Sequence, residues 1–90
     1  MIDLNLIDYE ISKHIAMRDI PFAALIAAAL RKADSDNFAR LESVFPGIAS
    51  DLKLRYNAPG GILLKDNIEN YDETLKRIKE IVDSYLDSSL

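Results

Sequence analysis

The sequence contains no cysteine. Disulfides, thiolate metal sites and cysteine nucleophiles are excluded together. Such a chain suits a reducing compartment, and the expected location is the cytoplasm of a bacterial cell. Histidine is almost as scarce. His14 is the only one, so no pair of imidazoles can share a metal ion, and a Ser-His-Asp arrangement would depend on that single side chain. Long apolar runs are missing too. The longest, from Ile20 to Leu30, falls short of the roughly 20 residues that a membrane span requires. Met1-Ile2-Asp3 places no basic stretch ahead of an apolar core, so neither a signal peptide nor a membrane association is expected.

A strong charge of one sign is also lacking. The net charge is −4 over 90 residues, enough for one domain. Residues 31–64 carry five basic side chains, Arg31, Lys32, Arg40, Lys53 and Arg55, against four acidic ones. Both flanking segments are acidic. Phosphate backbones repel an acidic chain unless a local basic patch forms, and only these five cations could supply one. Hydrophobic residues make up 49% and charged residues 29%, the balance of a folded domain rather than a disordered one.

What is present is helical periodicity. Leu4, Ile7, Ile11 and Ile15 recur at steps of three and four, which predicts an amphipathic helix over about Asp3–Arg18. Ile2, Leu4 and Leu6 also alternate with Asp3 and Asn5, so a short initial strand is the alternative. Pro21 disfavours helical geometry at Ile20 and should end the first helix. Asp19 is the expected N-cap of the next, with Pro21 in its first turn. That helix, Pro21 to Ala33, is apolar almost all round, with Phe22, Leu25, Ile26, Ala29 and Leu30 on one face and alanines over most of the rest. Such a helix is usually buried, which makes it the expected centre of the fold.

Asp34-Ser35-Asp36-Asn37 punctuates the chain with capping residues. A short helix over about Asp36–Val44 follows, and Pro46 then opens a fourth, ending near Tyr56, with Ile48, Leu52 and Tyr56 along one side. Asn57-Ala58-Pro59-Gly60-Gly61 is a loop whose glycines supply positive φ. Ile62-Leu63-Leu64 is either a strand stub or a segment folded back on the core. In the last helix Asn70 caps with Glu73 three residues on. Leu75, Ile78, Val82 and Tyr85 then step by three and four as a heptad seam.

The chemistry-bearing residues form no catalytic constellation. His14 flanks an apolar stripe. A calcium loop beginning at Asp34 would need glycine at its sixth position and glutamate at its twelfth, where the chain has Ala39 and Phe45. Glu69, Asp72 and Glu73 gather at a helix start, where carboxylates are favoured by the dipole. No serine sits in a nucleophile-elbow pattern, and Gly60-Gly61 lacks the spacing of a phosphate loop. No cofactor or metal is expected.

The stretch from Leu25 through Asp34-Ser35-Asp36-Asn37 and Phe45-Pro46 to Arg55-Tyr56-Asn57-Ala58-Pro59-Gly60-Gly61 resembles a pattern in small uncharacterised bacterial proteins, some of them from phage or mobile elements. The resemblance implies no activity and no site. It directs attention to Arg55-Tyr56-Asn57 and the loop that follows. Tyr56 is expected to pack under that loop, with Arg55 and Asn57 capping the preceding helix.

The sequence thus predicts an all-α bundle of four to five helices, with Pro21–Ala33 at its centre and the C-terminal helix packed along it. The leading functional expectation is a non-enzymatic interaction module forming a homodimer through Leu75, Ile78, Val82 and Tyr85. The alternative is an accessory nucleic-acid-binding protein using Arg31, Lys32, Arg40, Lys53 and Arg55.

Overall fold

In the computed structural model, which describes residues 3–86, local capping chemistry sets where each helix begins. Helix α1 spans Leu6–Ala16. Its N-cap is Asn5, whose Oδ1 accepts a hydrogen bond from the Asp8 amide at 2.7 Å. Residues 3–5 carry no strand, and Ile2, which the strand alternative also needed, lies outside the described residues. Helix α2 spans Phe22–Lys32. Its N-cap is Pro21 rather than Asp19, with no side chain bonding the first turn. The extended conformation of Pro21 (φ −58°, ψ 141°) turns the chain into the helix, leaving Asp19 upstream of any amide it could cap.

Helix α3 spans Ser35–Val44, and Asp34 caps it by accepting from the Asn37 amide at 2.8 Å. Helix α4 spans Pro46–Tyr56 with Pro46 in its first turn, where a missing amide hydrogen costs nothing. Two 3-10 turns follow, Pro59–Gly61 and Leu64–Asp66. Helix α5 spans Tyr71–Leu86, and Asn70 Oδ1 accepts from the Glu73 amide at 3.1 Å. The architecture is all-α, with no strand among the described residues.

Helix α4 packs against both α2 and α3, and α2 also meets α3. Leu30, Ala49 and Leu52 are buried at this junction, with Ile26, Phe38, Leu41 and Ile48 packed around them. Ala49 is fully buried; its small side chain allows the close approach that the junction requires. Phe22 and Phe45 add an edge-to-face contact at 5.9 Å.

The alanine-rich helix is therefore a flank of the core, and α4 is the hub. Leu30 is buried and Leu25 and Ile26 half-buried, but Phe22, Ala23, Ala24, Ala28 and Ala29 are exposed. Alanine is the best helix former whether or not it is buried, so an alanine cluster can signal helix without signalling interior. Nor is α5 packed along α2. Among the described residues no Cα of α1 or α5 lies within 8 Å of a Cα of another helix.

The result is a flat, open molecule of 45 × 34 × 15 Å with a radius of gyration of 15.5 Å. A compact chain of this length has a radius near ~12 Å. The accessible surface is 7611 Å², against about 5,300 Å² for a typical monomer of this mass.

Candidate interaction surface

The seam residues of α5 remain open to solvent. Leu75, Ile78, Val82 and Tyr85 are 36–44% exposed, and Ile81 and Leu86 beside them are more so. At about 100° per residue these six side chains sweep an arc of about 140°. That is broader than the stripe a one-to-one helix pair needs, which requires only the heptad a and d positions. Helix α1 presents a second apolar stripe, with Ile7, Ile11 and Ile15 all exposed and Leu4 exposed just ahead of it.

The start of α5 is fixed by the loop ahead of it. Tyr71 stands over Gly60, and a Cβ at that glycine would lie 2.8 Å from the Tyr71 hydroxyl oxygen. Gly60 also has φ +64° and Gly61 φ +70°, so the loop needs glycine for its backbone there. Leu75 and Ile78 share a cleft of about 420 Å³ with Ile62, Ile68 and the two glycines. The first half of α5 therefore rests on its own loop, while Ile81, Val82 and Tyr85 line none of that cleft.

That loop is stapled by an ion pair. Arg55, in the last turn of α4, donates to both Asp66 carboxylate oxygens at 2.7 and 2.8 Å and to the Gly61 carbonyl at 2.8 Å. Asp66 Oδ2 also accepts from the Leu63 amide at 2.9 Å. The Arg55 guanidinium, with help from that amide, holds the Asp66 carboxyl well below the usual carboxylate range. The same hydrogen bond raises the pKa of Arg55. Ile62 and Leu63 are extended but pair with no strand, and Leu64 projects fully into solvent.

Asn57 Nδ2 donates to the Lys53 carbonyl at 3.2 Å, closing the end of α4 as expected. Tyr56 does not lie under the loop. It is exposed and sits beneath Arg31, whose guanidinium carbon is 5.0 Å from the ring centroid. Arg31 Nη1 also donates to the Tyr56 hydroxyl at 3.2 Å.

The five basic residues of the middle segment serve different partners. Arg55 is committed to Asp66 and Lys53 pairs with Glu42. Arg31 lies on Tyr56, whereas Lys32 and Arg40 have no carboxylate within 4.0 Å among the described residues. His14 is exposed in the last turn of α1. Among the described residues no three His, Cys, Asp or Glu side chains cluster as metal ligands would. No helix of the described residues is long and apolar enough to cross a membrane.

The Arg55–Asp66 staple escaped sequence reasoning because its partners stand 11 residues apart, beyond any helical spacing. A trace of it was present: opposite charges flanking a glycine-rich turn. No family model, no curated protein and no solved structure matches this chain.

Proposed function

We propose that the protein is a non-enzymatic interaction module that self-associates through the apolar stripe of α5, acting as a homodimer in the cytoplasm. One observation carries the reading. Leu75, Ile78, Val82 and Tyr85 form a continuous apolar seam on a helix that, among the described residues, has no other helix within 8 Å, Cα to Cα. Contiguous apolar surface of this kind marks interaction sites in soluble proteins. The chain exposes roughly 2,000 Å² more than a monomer of its mass. Obligate dimers bury about 2,000–5,000 Å² in total, or about 1,000–2,500 Å² from each partner, so the excess on one chain is of the size that its half of such an interface would remove.

The test is solution mass by light scattering across a concentration range. The wild type is expected at twice its 10.1 kDa mass at micromolar concentration. Val82→Asp/Tyr85→Asp, at the end of α5 away from its own loop, is expected to yield a monomer that keeps a cooperative melt of α2–α4. A wild type that stays monomeric at high micromolar concentration would sink the reading.

A further inference from the structure

We propose that the surface receiving α5 is the groove between α1 and the α2–α3 pair of a second copy, so that two chains exchange their C-terminal helices reciprocally. This rests on the self-association proposed above and specifies its geometry. The groove has a volume of about 930 Å³, and its lining includes Asp8 of α1, Ala29, Lys32 and Ala33 at the end of α2, and Arg40 and Leu41 of α3. It lies in the gap that keeps α1 beyond 8 Å, Cα to Cα, from the other helices. Packed helix axes stand about 8–10 Å apart, so α1 is placed as the far wall of a slot rather than as a member of the core.

Three observations select α5 of a second copy as the occupant. The apolar arc of α5, about 140° wide, suits a seat between two walls better than a line of contact with one helix. Ala29 and Ala33 are small enough to let a helix approach closely. The charges also correspond. Asp72 and Lys79 lie along one edge of the α5 stripe, seven residues apart; the groove offers Lys32 and Arg40 to the first and Asp8 to the second, while Asp34, the other carboxylate on its lining, accepts from the Asn37 amide. None of the five so matched has an oppositely charged partner within 4.0 Å among the described residues. A two-fold exchange fills both grooves at once and closes the assembly as a dimer. A symmetric α5–α5 pair would leave the groove uncovered.

The native chain has no cysteine, so introduced thiols report contacts without background. Equimolar Ala29→Cys and Ile81→Cys proteins, mixed and oxidised in air, are expected to give the mixed disulfide severalfold in excess of either homodisulfide, as read by intact mass. Three outcomes overturn the exchange. In the first, Val82→Cys alone self-links efficiently while the mixed pair does not, which indicates a symmetric α5 pair. In the second, the Ala29→Cys/Ile81→Cys double variant closes a disulfide within one chain, which places α5 in its own groove. In the third, no mixed disulfide forms although wild type scatters as a dimer. A monomeric wild type would instead remove self-association itself, so the two failures are distinguishable.

Discussion

At the scale of single residues, Asp66 and Gly60 hold the segment that carries α5. Asp66 has its carboxyl well below the usual range because Arg55 and the Leu63 amide both bond its ionised form. The unfolded chain then binds more protons than the folded chain in acid. The contribution of Asp66 is complete at neutral pH and declines as pH falls below about 4, toward its folded pKa. Asp66→Asn should therefore melt below the wild type at pH 7, and the gap between the two melting curves should narrow as pH falls from about 4 to 2. A gap that stays constant with pH would show that the ion pair is not its source. Gly60→Ala meets two penalties, a positive φ and a Tyr71 hydroxyl 2.8 Å from the new Cβ. The backbone part costs about 1–2 kcal/mol. Denaturant titrations of Gly60→Ala with and without Tyr71→Phe should recover the collision and leave the backbone penalty.

At the scale of elements, the core rests on few side chains. Leu52→Ala should cost about 2–5 kcal/mol, whereas Leu54→Ala, two residues away and exposed, should change stability by no more than about 0.5 kcal/mol. Urea titration of the pair checks whether α4 is the hub. The helices themselves were legible because their signals are local. Asp34 and Asn70 could be named as caps from their side chains alone, and Pro46 from its ring. Asn5 is not legible as a cap, because the apolar periodicity begins at Leu4, one residue before it. Asp19 reads as a cap without being one, because Pro21 can stand either within a first turn or just ahead of it. Ala49 could not be picked out, since an alanine is buried by what crosses it and not by any pattern it belongs to. The α5 seam was readable as apolar, but periodicity marks a face without saying whether its own chain covers it.

At the scale of the whole molecule, the separation of α1 from the α2–α4 core changes what its helix can be. Isolated helices shorter than about 12–15 residues are marginal in water, and α1 has 11 residues. Among the described residues it has an N-cap and a local ion pair but no helix of its own chain within 8 Å, Cα to Cα. In the proposed dimer, the helical content of the protein would be a function of how much protein there is. Dilution would uncoil α1 while α2–α4 stayed folded, and assembly would wind it again. For a chain that assembles as proposed, the last step of folding would be bimolecular, and its concentration would decide how much of its sequence is structured.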